Sequence, residues 1–238
     1  MYILDAKNAG FKEINQVLRE RDEVKIVNCL GQRFIGAGMR NKKIDISGTP
    51  GNALGAYFDG GEITVEGNAQ DAVGDTMNAG KIVIHGNVGD AVGYAMRGGA
   101  IYIKGNAGYR AGIHMKAYRE KIPVIVIGGA AGSFLGEYQA GGIIIALGID
   151  IKGDIVGNFP CTGMHGGRML LRSDCKNIRF PHNVNIARAN ENTLAPFTGY
   201  IKEYCNLFGV DYDKLMDAPF TLLSPDSKNP YKQMYVMN

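Results

Sequence analysis

A repeat of nineteen residues is the feature of this sequence that most restricts its fold. Between Lys43 and Gly112 the rows align without a gap, and each row opens with a short run in which aliphatic and polar residues alternate. Alternation places every second side chain on the same face of a strand. A single row cannot bury that apolar face alone, so successive rows must stack and pair in parallel. The repeat therefore predicts a β-solenoid.

The columns of the repeat define which side chains point inward. The two aliphatic columns hold Ile44, Ile63, Ile82 and Ile101, and then Ile46, Val65, Ile84 and Ile103. Glycine closes each strand and returns seven positions later, which permits the turns of positive φ at which a coil changes direction. Asparagine recurs just after the strand at 68, 87 and 106. We expect these amides to hydrogen-bond along the stack.

The period continues beyond the aligned rows. An earlier strand is predicted at Val24–Val27, and later strands are predicted at Pro123–Gly128 after a four-residue insertion, at Gly142–Gly148 and at Gly167–Ser173. The predicted fold is all-β, a single-stranded right-handed parallel β-helix of about seven or eight coils. It carries an N-terminal helix and a C-terminal helix and tail.

Three segments follow from where the repeat begins and ends. Residues 1–23 form a capping segment, because apolar residues at helical spacing run from Phe11 to Leu18. Residues 24–175 form the β-helix. Residues 176–238 lose the periodic glycine and are predicted to hold a helix over Thr193–Phe208, ending near Gly209, and then an extended tail.

Composition excludes several classes of function. The net charge is +3 and no long basic run is present, so neither nucleic acid nor a membrane surface is indicated as a partner. No apolar run approaches the roughly 20 residues of a spanning helix, and no signal peptide is evident. The four cysteines are scattered without a CxxC pair. They predict reduced thiols and a cytoplasmic protein.

Reactive constellations are not evident, and we assign no catalytic, cofactor-binding or metal-ligating residue. The glycines at 128, 129 and 132 miss the spacing of a dinucleotide-binding loop. Cys161 and His165 lack a second pair that would complete a zinc site. Asp71 and Asp90 share one column, where stacked carboxylates should repel each other unless solvent or a partner's cation relieves them.

A docking site is the one functional feature that the residues themselves suggest. The insertion before the strand at residue 124 is rich in cations, and loops inserted into a solenoid tend to lie on a binding face. The candidate docking residues are Arg110, His114, Lys116, Tyr118, Arg119 and Lys121. A solvated excursion without a partner is an equally good interpretation of the same loop.

The rows themselves are similar to those of a known family. The phrases at 67–74, 86–93, 138–142 and 163–167 resemble the GXGXG domain, the carboxy-terminal β-helix of the glutamate synthase large subunit, in its free-standing version. The same repeat also resembles the scaffold subunit of formylmethanofuran dehydrogenase, which lies beside a molybdenum or tungsten subunit. The segments at 136–142 and 164–167 favour glutamate synthase.

This resemblance implies a structural subunit of an oxidoreductase. In glutamate synthase, partner parts carry the amidotransferase with its amino-terminal cysteine, and the FMN and iron–sulfur cluster of the synthase. The chain opens Met1-Tyr2-Ile3 and has no cluster motif, so by analogy it braces those subunits and binds no cofactor itself. A formylmethanofuran dehydrogenase scaffold, a stand-alone β-helix enzyme or binding protein, and self-association into a homo-oligomer remain alternatives.

Overall fold

The computed structural model describes residues 1–226 and shows a parallel β-helix of about eight turns. Strands β1 to β9 follow one another in chain order, and β11 and β10 extend the sheet antiparallel beyond β9. The strands are β1 Tyr2–Asp5, β2 Glu23–Leu30, β3 Arg40–Thr49, β4 Asp59–Glu66, β5 Ala79–Ile84, β6 Ala100–Ile103, β7 Val124–Ile127, β8 Ala140–Ala146, β9 Gly166–Leu171, β10 Val184–Arg188 and β11 Thr221–Pro225. The helices are α1 Phe11–Glu20, α2 Glu191–Phe208 and α3 Tyr212–Met216.

Register along the sheet confirms the two inward columns. The first column continues from Ile101 to Ile125, Ile144 and Met169, and each of these side chains is fully buried. Because Ile125 pairs with Ile101, the insertion in that coil is five residues long, not four. The core is thus one continuous stack of aliphatic side chains along the axis of the solenoid.

Side-chain oxygens outside the strands bind the next coil, as expected for the asparagine column. The Oδ1 atom of Asn68 accepts the backbone N–H of Asn87 at 2.8 Å, and Asn87 does the same for Asn106 at 2.7 Å. Asp71 accepts the N–H of Asp90 at 2.9 Å in the same manner. The predicted repulsion between these two carboxylates is therefore offset by hydrogen bonds to backbone donors.

The N-terminal segment covers the first coil. Ile14 and Leu18 of α1 are fully buried against the core, and Asn15 reaches the first turn with both ends of its amide. Its Nδ2 donates to the carbonyl of Phe34 at 2.8 Å, and its Oδ1 accepts the N–H of Gly36 at 2.9 Å. Strand β1 pairs in parallel with β2 and is an addition to the strands that the repeat predicts.

Helix α2 packs on the outer face of the sheet and forms a second core there. Its residues Phe197, Ile201 and Tyr204 are buried against outward side chains of β6 to β9. The helix begins at Glu191, and Gly209 caps its end with a φ of 67°, close to the predicted end. Strand β11 occupies the first part of the predicted tail, and residues 227–238 lie outside the described residues.

Replacement of Ile63 by Asn tests the inward columns of the repeat. The substitution places an unpaired amide in a fully buried position and should lower the free energy of unfolding by about 3 kcal/mol or more. Thr64→Asn, one residue along the same strand and facing outward, should cost less than about 1 kcal/mol. Urea unfolding of both variants measures the difference, and equal losses would mean that the two faces are assigned wrongly.

Asn87→Ala tests the hydrogen-bonded column. The backbone N–H of Asn106 loses its acceptor, so we expect the free energy of unfolding to fall by about 0.5–1.5 kcal/mol. Asn52→Ala is the matched control, because the Asn52 side chain makes no hydrogen bond within residues 1–226. A stability loss of the same size in both variants would rule out a specific contribution from the column.

Candidate functional site

The inserted loop folds as a small hairpin at a corner of the solenoid. Tyr118 and Lys121 exchange backbone hydrogen bonds of 3.1 and 3.0 Å, and Arg119 takes a φ of 55° in the turn between them. Half of the Tyr118 surface and half of the Ile122 surface are exposed. The loop is therefore an ordered projection that presents an aromatic ring, an aliphatic side chain and a guanidinium to solvent.

Lys121 holds the hairpin against earlier coils. Its Nζ lies 3.5 Å from Oδ1 of Asp59, and Arg40 binds the other oxygen of the same carboxylate at 2.7 Å. The loop thus lies back along the axis toward the N-terminal coils, over Gly98. Of the six candidate residues, Lys121 fixes the position of the loop.

Arg110 belongs to a row of contacts on the segment that closes each coil. Its Nε donates to Oε2 of Glu137 at 2.9 Å, and its guanidinium lies 5.0 Å from the centre of the Phe134 ring. The Phe134 ring in turn lies 5.3 Å from that of Phe159, which is 62% exposed. We call Arg110, Phe134 and Phe159 the first ladder.

His114 lies between two tyrosines in a second row on the same segment. Its ring stacks on Tyr138 at 5.3 Å with an interplanar angle of 7°, and it meets Tyr94 edge-on at 5.8 Å. Both tyrosines are more than a third exposed. We call Tyr94, His114 and Tyr138 the second ladder. Sequence analysis identified only His114 of these three.

The remaining candidates surround the ladders with positive charge. Lys116 precedes the hairpin, and neither it nor Arg119 has a carboxylate within ion-pair distance in the part of the chain that the structure describes. Both side chains are exposed. The site combines rigid aromatic surface with unpaired cations, which is typical of the residues that dominate protein interfaces.

Reactive chemistry is poorly supported elsewhere. Within residues 1–226, no group of three His, Cys, Asp or Glu side chains is arranged to hold a metal ion. The thiol of Cys161 is buried, lies 3.7 Å from the sulfur of Met169, and its pKa is raised by burial to about 12. Burial likewise raises the pKa of Cys29 to about 11. Such thiols supply little thiolate for nucleophilic chemistry near neutral pH.

The cleft at the last coil is one of several surface clefts with room for a small molecule. It measures about 590 Å³ and lies between the last coil and the segment that follows β9. Asp154, Asn158, Asn177 and Arg179 line it together with the Phe159 ring. All five side chains are exposed, so the cleft is an open surface feature.

The described residues contain no helix of the length and apolarity needed to cross a membrane.

Comparison with known proteins gives consistent matches. The family model described as the GXGXG motif matches residues 12–222. A relative from Methanocaldococcus jannaschii, named "Uncharacterized protein MJ1350", is 43% identical over 98% of this chain and 95% of its own length. A chain of the formyltransferase/hydrolase complex (FhcABCD) from Methylorubrum extorquens, solved with methylofuran, superposes with a TM-score of 0.64. It is 23% identical and covers 87% of this chain and 74% of its own, which establishes a shared fold.

The raised pKa of Cys29 predicts slow alkylation. Below about pH 9 the folded protein should hold roughly a hundredfold less Cys29 thiolate than the unfolded chain. Iodoacetamide labelling at about pH 8, read by mass spectrometry, should be correspondingly slow without urea and fast with it.

The same pKa shift makes stability depend on pH. Because the folded pKa lies above the ordinary value of 9.0, the stabilising contribution is complete below that pH and is lost as pH rises to about 11. In the iodoacetamide experiment, rapid labelling of Cys29 in the folded protein would contradict the buried, neutral state of the thiol on which both predictions depend.

Proposed function

Because this chain belongs to the GXGXG-motif family, we propose that it is a non-catalytic scaffold subunit of a multi-subunit enzyme complex. The structural neighbour was solved as part of such a complex, FhcABCD. The relative from Methanocaldococcus jannaschii matches nearly end to end, so it shares the same single β-helix unit. Reactive groups on partner polypeptides would then perform the chemistry.

One observation carries the proposal. The inserted hairpin and the two ladders form an ordered, exposed surface of aromatic rings and cations on a rigid rod. Residues of these types dominate binding energy when a partner covers them. Asp71 and Asp90, two carboxylates that stack on neighbouring coils, each accept a backbone N–H of the next coil. They therefore already have a structural role.

The first candidate complex is of the formylmethanofuran type. The structural neighbour comes from a formyltransferase/hydrolase complex bound to methylofuran. In a formylmethanofuran dehydrogenase, the second family that the repeat resembles, the chain would hold the position of the β-helical scaffold beside a catalytic subunit with molybdenum or tungsten. The structural comparison favours this candidate over the glutamate synthase type.

Glutamate synthase is the second candidate, favoured by the sequence at 136–142 and 164–167. Its partners would be amidotransferase and synthase subunits, the latter with FMN and an iron–sulfur cluster. The structure gives the first segment an internal role, because the buried Gln139 amide donates to the carbonyls of Gly141 and Gly142 at 3.1 and 3.3 Å. The motif can therefore be explained by folding, which weakens it as an indicator of a partner.

Location and assembly follow the same reasoning. All four cysteines are buried free thiols, as expected in a reducing compartment, and we place the chain in the cytoplasm. Self-association of this chain is the competing use of the exposed surface. A partner subunit bound to the ladders and the hairpin would exclude this self-association, because the same surface cannot contact a partner and a second copy of the chain at once.

Purification from native cells tests the proposal. A tagged copy of the chain should elute with stoichiometric partner subunits. Flavin absorbance with iron would identify the glutamate synthase type, and molybdenum or tungsten by elemental analysis would identify the formylmethanofuran type. Recovery of the chain alone, or only with copies of itself, would overturn the scaffold function.

A further inference from the structure

Five of the six ladder residues, all except Tyr94, occupy backbone positions that disfavour side chains of their kind. Each coil turns through residues in the left-handed conformation, with φ values of 55° at His114, 51° at Tyr138, 63° at Phe134 and 59° at Phe159. Residues with a Cβ adopt this conformation at a cost in free energy, and glycine avoids that cost. Aromatic side chains are thus held at positions where glycine would adopt the same backbone conformation at a lower cost in free energy.

Burial does not compensate for this strain. At the neighbouring interior position, glycine is required, because a Cβ on Gly112 would lie 2.5 Å from Cδ1 of Ile144. At the ladder positions the side chains point outward, and 38% of Tyr138 and 62% of Phe159 remain exposed. The left-handed conformation recurs in the same columns of other coils, at Ala72, Ala91, Thr76 and Ala95, so the turn itself requires it. The ladder positions differ from these in carrying exposed aromatic rings where the other coils hold small side chains.

Spacing makes the ladders a preformed surface. Their ring centroids lie 5.3–5.8 Å apart, close to the roughly 4.8 Å separation of stacked strands. The Arg110–Glu137 ion pair joins the first ladder to the coil that carries Tyr138. A partner would find these rings already ordered, so little conformational entropy is lost on binding.

Charge near the hairpin is predominantly positive, although Glu137 and Asp59 pair with Arg110 and Lys121 there. Residues 91–122 hold six Lys or Arg and a single acidic residue, Glu120, although the whole chain carries only +3. Arg97, Lys116 and Arg119 have no carboxylate within ion-pair distance inside the described range. Opposite charge on the partner would steer it to this face.

We propose that the ladders and the hairpin bind an acidic segment of a partner subunit, with its carboxylates at Lys116 and Arg119 and its apolar or aromatic side chains on Tyr94, His114 and Tyr138. The inference rests on the scaffold function and adds the chemistry of the partner. A second copy of this chain and a nucleic acid are the competing occupants.

Glycine variants separate binding from folding. The double variant His114→Gly and Tyr138→Gly removes the centre of the second ladder and relaxes the backbone. Tyr57→Gly is the matched control, since Tyr57 lies in the same column, has a φ of 57° and is 58% exposed, but makes no ring contact within residues 1–226. Titration against the subunit recovered with the wild-type chain should show a Kd raised roughly tenfold or more for the double variant. The control should bind like wild type, and both should keep the wild-type melting temperature.

Zero-length crosslinking identifies the occupant. A carbodiimide should join Lys116 in the native complex to an Asp or Glu of the partner subunit. Lys116→Arg should abolish that crosslink but keep affinity, and Lys116→Glu should weaken binding, most strongly at low salt. Crosslinks from Lys116 to a second copy of this chain, or release of the partner by nuclease, would overturn the inference. Unchanged affinity of the double glycine variant for the partner would also overturn the inference about the ladders. That result would leave the proposed scaffold function intact. Recovery of no partner at all would overturn both.

Discussion

Burial of aliphatic side chains between coils is the interaction on which the rest of this structure depends. Each inward Ile or Val contributes roughly 1.5–3 kcal/mol when fully buried, but only when a neighbouring coil covers it. The columns through Ile44 and Ile46 are therefore apolar and buried along the whole rod, although their size ranges from Ala146 to Met169. Outward positions under α2, such as Tyr102 and Val126, are buried as well. Side chains on the exposed turns carry no such constraint and are free to contact other molecules.

This difference explains what the sequence could predict. The inward columns repeat at a constant interval, so the strands and the pairing of Ile82 with Ile101 follow from spacing alone. Contacts between distant segments have no period. Lys81 has the spacing of an outward residue, yet its Nζ lies 3.3 Å from Glu203 of α2, 122 residues later. Strands β1 and β11 escape prediction for the same reason, because they extend the sheet without repeating the motif.

The candidate site was predictable only in part. The cations of the insertion stand out because they interrupt the repeat, and they led to Arg110 and Lys116. The aromatic rows did not stand out, since the five-residue insertion separates His114 from Tyr138 by 24 positions in place of nineteen. Realigning the rows on Ile101 and Ile125 brings His114 and Tyr138 into one column with Tyr57. The signal was therefore present, but it required the register that the structure supplies.

A solenoid also limits where such a surface can arise. Every strand edge between coils is already paired, and the asparagine and aspartate columns use side-chain oxygens to satisfy backbone donors. A corner, such as the one that carries the hairpin at Tyr118, accommodates a new loop most easily, because a long insertion within a strand would disrupt its pairing with both neighbouring coils. Outward side chains on the turns then acquire a fixed spacing from the stack beneath them. For the scaffold function that we propose, this fixed spacing is what the fold can offer to a partner: a surface whose geometry is set before binding begins.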